Sequence, residues 1–589
     1  MVENVHAIVN SLYETFEGLV DFPAVKRIST AYPDLSPRAM IEQMSRSFYE
    51  EGRRLIFHVS SLVRQLEGVA RGRGVSENDF VLALIAILYH DAGKIMERLA
   101  IDDVELKLIF DDDRFGHSLA VRRFFLYLDI PELAQAVRHH STDFAIDIRR
   151  RRVTIPQLLL NIVDRLDNSG IPVDPGQKMR IVKEKIGGNP GFDWNSEAIA
   201  CDIVCEMLHF SGRFAEIGFI CENSFPLRSV LFTQRFDGKY CAPVGRYKHT
   251  SSNIAIAEYL SRWGWKITLL HEGNFGEVYY DSGAIHLVGI VSAEDDCMVY
   301  TAIADQVSRH ETIVVEGWTT ALSYLRAIVS NEKSLILLLR TMSKGSMEED
   351  RIEKMLRSDE IWVMTDEMRK IVNAQISEAV PVRILQSGVD KRIYFPNMSV
   401  ARKRGKLVYV GAVTALKGVD VLIDAFKQVK SIVSEAELHI VGTPDMYGKA
   451  NKFDVKDFGS CEGVHYWGML EPLEIAQHLQ TAHIAVLLTK IYETWGKSAM
   501  QARCCGTRLL VSNSGALPFH VQSEEEGIVL SLVTKETVTD AILRLLESEP
   551  RSVICPRDRY HSWRATAVDF VTYLDMLDRE KQRVLGIAR

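Results

Sequence analysis

The residues of this 589-residue chain best suited to chemistry fall in two stretches. In the first, LIAILYHDAGK sets His90 and Asp91 side by side at the end of an apolar segment, with Gly93 and Lys94 close behind. His58 precedes them in FHVSSLV, and His117 (FGHSLAV), the pair His139 and His140 (VRHHSTD) and Asp164 (NIVDRLD) follow. Each sits in an apolar, helical context, where an ionisable group buried without a partner is costly. A shared cation relieves that cost for several of them together, and mixed imidazole and carboxylate ligands suit manganese, iron or zinc. Taken alone, the His-Asp doublet reads equally well as a core histidine beside a surface aspartate; the neighbouring histidines argue for the metal. The basic run Arg149 to Arg152 is either a solvated helix end or a guanidinium clamp for a polyphosphate or nucleotide. In the second stretch, VYVGAVTALKGVDVLIDAF places Gly411 at a strand end, then Lys417, then an apolar helix. Further on, IAVLLTKIYETWGKSAMQARCCGTRLLVSNSGALP joins a buried strand, a loop with Glu493 and Gly496, a helix carrying Gln501, and a strand running into a glycine turn.

The elements that must hold these residues divide the chain in three. A single hydrophobic core stops growing well short of this length. Up to about residue 215 the pattern is helical throughout, and Ser76 with Asp79 reads as a capping box opening the segment that ends at His90. From Ser229 short apolar runs (SVLFTQRF, KITLLHEG, TIVVEGW, SLILLLR, IWVMTD, VRILQSG) alternate with helix-length segments, which predicts parallel strands and crossover helices. A charged break over DKRIYFPNMSVARKR precedes a second such series: KLVYVGAV, AELHIVG, IAVLLTK and RLLVSN. The expectation is an all-α domain over 1–215, followed by an α/β fold of two Rossmann-like halves over 225–395 and 396–589. With 47% apolar and 25% charged residues the chain is neither disordered nor fibrous. A net charge of −8 supplies no global field for nucleic acid, which the Arg149–Arg152 patch keeps only as a secondary reading. MVENVHAIVN lacks the basic start of a secretion signal, and the longest apolar run, Phe80 to Tyr89, is about half a membrane span. Nine cysteines without a C-x-x-C pair fit reduced thiols, so a cytoplasmic protein is expected.

Over about residues 50–185 the sequence resembles the HD-domain metal-dependent phosphohydrolases, whose histidine, His-Asp doublet and late aspartate match His58, His90, Asp91 and Asp164 in order. The resemblance implies one or two divalent ions, manganese, iron, magnesium or zinc. Asp91 would bridge them and His117, His139 and His140 would hold the second, with one of the vicinal pair as an outer-sphere group in the alternative. Asp167 is the alternative to Asp164. Lys94 would meet a substrate phosphate, so that Asp91 and Lys94 serve catalysis on a phosphorylated small molecule or nucleotide. Two such cations can generate a hydroxide and neutralise the leaving oxygens.

Residues 225 to 575 resemble the retaining glycosyltransferases of the GT-B fold, in the group 1 or family 4 type that uses nucleoside-diphosphate sugars. Glu493 and Gln501 stand at the family's two glutamates, and Lys417-Gly418 matches its donor-diphosphate lysine. By this resemblance the donor pyrophosphate lies near Gly411, Lys417 and the helix start at Gly496, where free N–H groups and partial positive charge favour an anion. Glu493 would engage the sugar or ribose as a catalytic-site residue, and Gly245 in APVGRYKHTSSNIAIAEYL looks like the loop facing donor and acceptor. SWRATAVDFVTYLDML looks like the family's closing helices. The chain departs from the pattern at Ala412, where an arginine is usual, at Gln501 and Phe519, where glutamates are usual, and in LRTMSKG, which lacks the first-half histidine. Lys497 or Arg246 could replace the missing arginine. The combined reading is a bifunctional phosphohydrolase and glycosyltransferase acting on a nucleotide-sugar and an unidentified acceptor. In the alternatives, the carboxy-terminal module is a silent binder, or the HD domain is a nucleotide sensor.

Overall fold

The computed structural model describes residues 16–46, 76–90, 117–138, 154–157, 159–160, 229–234, 252–272, 277–280, 283–290, 303–317, 319–342, 347–444, 461–556 and 559–584, together with Tyr13 and Phe458. The chain forms two compact units, one of residues 1–228, 262–265 and 568–589, the other of residues 229–261 and 266–567. Among the described residues, no helix is long and apolar enough to cross a membrane.

The named elements of the first unit are all helices. Its helix Glu77–Tyr89 starts at Ser76, whose hydroxyl accepts the Asp79 N–H at 3.1 Å. The same hydroxyl donates to the Asp79 carboxylate at 2.6 Å, in place of the reciprocal backbone bond of a full capping box. Glu77 and Asp79 put negative charge at the positive end of the helix dipole. Phe80 through Tyr89 are all buried, as expected of a helix apolar on every side that runs through a core. The Tyr89 hydroxyl donates to the Leu35 carbonyl and so ties the helix to an earlier turn.

Closure of this unit depends on the far end of the chain. Asp575, on the helix Trp563–Val584, accepts from Arg122 Nε at 2.8 Å and from Arg138 Nη1 at 2.5 Å. Six residues earlier, Asp569 meets Arg123 at 2.8 Å, and the Thr572 hydroxyl accepts from the same guanidinium at 2.9 Å. All five charged side chains are buried, with exposures of 9% or less.

The second unit contains two sheets. The first is built from β1 (Ser229–Gln234), β2 (Lys266–Glu272), β3 (Glu277–Tyr280), β4 (Gly283–Ile290), β5 (Thr312–Glu316), β6 (Ser334–Leu339), β7 (Glu360–Val363) and β8 (Val382–Ile384), in the order β3-β4-β2-β1-β5-β6-β7-β8. The second comprises β9 (Lys406–Val410), β10 (Glu437–Val441), β11 (Val464–Gly468), β12 (Ile484–Leu487), β13 (Arg508–Ser512) and β14 (Gly527–Leu530), in the order β11-β10-β9-β12-β13-β14. Every pairing is parallel except β3 with β4. This is the parallel α/β architecture of two Rossmann-like halves. β6 is buried along its length, which is why SLILLL reads as one apolar run without alternation. β3, β4, β11 and β14 escaped the sequence reading. In β11 the central residues face solvent, so the strand shows no apolar run to read. One apolar cluster joins Leu337 and Leu339 of β6 to Val408 of β9, Trp495 and Ala499. Another covers β9, β10 and β12 with the helices Val419–Ile432 and Lys535–Glu547. At the junction, Val389 N–H donates to the His561 carbonyl at 2.9 Å, just before the last helix.

Removing one member of a buried ion pair leaves an uncompensated charge and costs about 3–5 kcal/mol. Asp575→Ala, which strands Arg122 and Arg138 together, is expected to destabilise the helical unit by that amount in urea denaturation of the full chain. An unfolding midpoint equal to that of the unmodified protein would refute the closure.

Candidate active site

At the carboxyl edge of the second sheet, β9 gives way to Gly411, Ala412 and a short turn that ends in Lys417. The turn is held from inside: the Tyr409 hydroxyl donates to the Ala412 carbonyl at 2.6 Å, and Ala412 is buried. Gly418 then starts the helix Val419–Ile432 with φ of 73°, and a Cβ at this position would lie 2.0 Å from the Leu488 carbonyl oxygen. Only glycine tolerates both conditions, and its contact with Leu488 brings the Lys417 turn against the loop after β12.

That loop carries Glu493. Its carboxylate meets Lys417 Nζ at 2.6 Å, with both side chains largely buried. The Glu493 carbonyl accepts the Ala516 N–H at 2.8 Å, so the glycine turn after β13 sets the position of the backbone. Gly496 caps the helix Lys497–Cys504 in the left-handed region at φ 78°. Beneath it His520 donates from Nε2 to the Trp495 carbonyl at 2.6 Å and accepts at Nδ1 from the Tyr560 hydroxyl at 2.9 Å. Burial pushes His520 down to about 4, which keeps it neutral and able to play both roles. Lys497 and Gln501 lie one turn apart on this helix and so share a face.

The first sheet supplies the facing groups. The Thr494 hydroxyl donates to the Arg340 carbonyl at 2.5 Å, joining the Glu493 loop to the end of β6. Arg340 Nε lies 3.3 Å from Glu316 at the end of β5, and Arg340 Nη2 donates to Asn253 Oδ1 at 3.1 Å. Asn253 Nδ2 in turn donates to Glu316 at 2.5 Å and closes a triangle. Lys497 Nζ stands 6.0 Å over the Trp563 ring. Desolvation and the charge of Arg340 push Lys497 down to about 8, against the opposing pull of Glu316 and Glu493. Burial lowers Arg340 too, with Glu316 pulling the other way. This cluster therefore sets three cations, Arg340, Lys417 and Lys497, against two carboxylates, Glu316 and Glu493, an arrangement able to take up an anion between the two sheets.

Glu316, Arg340, Asn253 and Thr494 were not singled out in the sequence. A usable signal existed for two of them. Glu316 and Arg340 are the charged residues that end or follow the apolar runs TIVV and SLILLL, and ligands of open parallel sheets bind beyond strand carboxyl ends. Gly245 and Arg246 lie outside the described residues, as do His58, Asp91, Lys94, His139, His140, Asp164, Asp167 and Arg149–Arg152. His117 begins the helix His117–Tyr127. His90 is buried at the end of its helix, where its Nδ1 bonds the Ile87 carbonyl at 2.7 Å.

Residues 404–548 match the family described as Glycosyl transferases group 1. Over 241 residues the chain is 22% identical to the D-inositol 3-phosphate glycosyltransferase of Corynebacterium glutamicum (strain R), a match covering 36% of this chain and 56% of that protein. It is 27% identical over 213 residues to the MMP alpha-(1->4)-mannosyltransferase of Mycolicibacterium hassiacum, covering 33% of this chain and 50% of that protein. The chain thus spans about half the length of the curated relatives it matches. Among solved structures, sucrose-phosphate synthase from Thermosynechococcus elongatus aligns over 61% of this chain and 98% of its own, at 16% identity and a TM-score of 0.46. An Anabaena protein in complex with UDP-glucose aligns over 61% and 99%, at 12% identity and a TM-score of 0.42. The family match thus falls on the second sheet and the helices that cover it.

Proposed function

We propose that residues 229–567 form a retaining glycosyltransferase that takes a sugar from a nucleoside-diphosphate sugar, with the donor diphosphate on Lys417 and Lys497. The observation that carries this reading is the Lys417–Glu493 pair beside Lys497, facing the end of the first sheet. In the protein alone Glu493 neutralises Lys417. An arriving diphosphate takes over the Lys417 ammonium and leaves the Glu493 carboxylate to accept from hydroxyls of the sugar or ribose. As the glycosidic bond to phosphate breaks, negative charge grows on the leaving diphosphate, where fixed cations lower the barrier. The N–H groups at the start of the helix Lys497–Cys504 face the same charge. Lys497 makes up for the arginine missing at Ala412, and Gly245, Gly411, Gly496 and Gln501 complete the proposed donor site. Arg340, held by Glu316 and Asn253, stands where the family's histidine is missing and orients the acceptor side.

The helical unit is read as a cytoplasmic HD-type phosphohydrolase, with His58, His90, Asp91 and Asp164 holding a divalent metal, His117, His139 and His140 a second, and Lys94 on the substrate phosphate. His90 supports it. A carbonyl can only accept, so the bond to Ile87 puts the ring proton on Nδ1 and the lone pair on Nε2. Metal-ligating histidines are commonly fixed in their tautomer by such a bond. The metal would supply an activated water, while these side chains orient it and exclude other geometries. Hydrolysis of the released nucleotide, or of a phosphorylated acceptor, would link the two activities.

Incubation with a panel of nucleoside-diphosphate sugars, with and without divalent metal, is expected to release nucleoside diphosphate from one donor. Binding without release would favour the silent-binder alternative. Charge-assisted hydrogen bonds contribute about 1.5–3 kcal/mol, so Lys417→Ala should weaken UDP, GDP or ADP binding about 10- to 100-fold in calorimetry; unchanged affinity would remove the site. Lys497 loses its proton as pH rises through about 8, so diphosphate affinity should fall across that point. In Lys497→Arg it should stay level. Elemental analysis should find less metal in the His90→Ala, Asp91→Ala variant than in the unmodified protein, and equal content would overturn the HD reading.

A further inference from the structure

Away from the cleft, the second sheet gathers imidazoles on one face. β10 and β11 run in parallel with His439 directly beside His465, and Glu437 lies two residues before His439 on the same face. Glu437 Oε2 is 3.3 Å from His439 Nε2, and ligand atoms of Glu437, His439 and His465 all lie within 4.8 Å of one another. His478, on the helix Pro472–Thr481, brings a third ring to 5.4 Å from that of His439, and its Nδ1 is buried without a hydrogen-bond partner.

We propose that Glu437, His439 and His465 form a binding site for a divalent transition-metal ion of the zinc class, clipping edge strand β11 to β10. Two imidazoles and one carboxylate suit zinc, nickel or copper rather than magnesium or calcium, which prefer all-oxygen shells. Tetrahedral coordination at about 2.0–2.2 Å places ligand atoms about 3.4 Å apart, close to the Glu437–His439 spacing. Three protein ligands leave one position to water, and the exposure of His465 provides the entry path. The ligands stand toward the start of β10, whereas the glycosyltransferase site follows the carboxyl ends of the strands. The clip is therefore structural or regulatory and does not depend on the transferase reading.

Trp467 makes the site distinctive. Its indole N–H donates to His439 Nδ1 at 3.0 Å. An indole nitrogen cannot accept, so in the metal-free protein the His439 proton sits on Nε2, directed at Glu437. A metal at Nε2 displaces that proton and needs Nδ1 protonated, so the indole must turn away as the ion binds. Trp467 is half exposed and has room to do so.

The test is calorimetric titration of the full chain with Zn2+ while tryptophan emission is followed, with Mg2+ as the control whose binding should be the same with and without His465→Ala. Zinc should bind with a stoichiometry that falls by one in His465→Ala and in Glu437→Gln. If residual binding persists there, it should be at least about tenfold weaker, since even outer-shell changes at metal sites cost about 10- to 100-fold. This fall should be the same in the His90→Ala, Asp91→Ala background, which separates the site from the helical unit's metal. Trp467→Phe should lose the zinc-dependent emission change yet bind about 2- to 10-fold tighter, because one hydrogen bond no longer has to break. Unchanged zinc stoichiometry and affinity in both His465→Ala and Glu437→Gln would overturn the site. Weaker binding in Trp467→Phe would overturn the proton exchange.

Discussion

Charge balance at the facing edges of the two sheets is the constraint on which the second unit depends. Arg340, Lys417 and Lys497 could not stand this close, largely desolvated, without Glu316 and Glu493 among them. Each surrounding feature serves that balance. Asn253 holds Glu316 to Arg340, the Thr494 hydroxyl ties the Glu493 loop to the Arg340 backbone, and neutral His520 supports the same loop from below. The strands set the distances, and the loops at their carboxyl ends carry the charge.

The helical unit solves a related problem in its core. Arg122, Arg123 and Arg138 are buried, and their counter-charges come from Asp569 and Asp575, more than four hundred positions later. A buried ion pair adds little net stability over apolar packing, but a mismatched one is heavily penalised, so such contacts select one docking register for the last helix. The chain's end is thereby required for its beginning, and the α/β unit lies between the two in sequence.

Polar clusters in this protein differ in how they are satisfied. The arginine–aspartate contacts of the helical unit put three guanidiniums on two carboxylates, with the Ala134 carbonyl and the Thr572 hydroxyl as further acceptors. The cleft cluster has one more cation than it has carboxylates. The Glu437–His439–His465 face is closed only through the tautomer that Trp467 imposes. Where such a network is fully satisfied, it rigidifies the core around it.

The sequence by itself determined the strand and helix alternation after Ser229, the apolar helix ending at His90, and the neighbourhood of Lys417, Glu493 and Gly496. These are local properties: apolar period, glycine placement and residue type are written over a few positions. Tertiary structure decided the rest. Glu316 and Arg340 came together because β5 and β6 lie side by side and end at one edge, which residue spacing does not encode. Asp575 found Arg122 and Arg138 only once the last helix had docked. His439 and His465, twenty-six positions apart in the chain, met through strand register. In each case the deciding quantity was a distance across the fold. Such distances follow from how whole sheets and helices bury their apolar faces, and they cannot be read from any short stretch of residues.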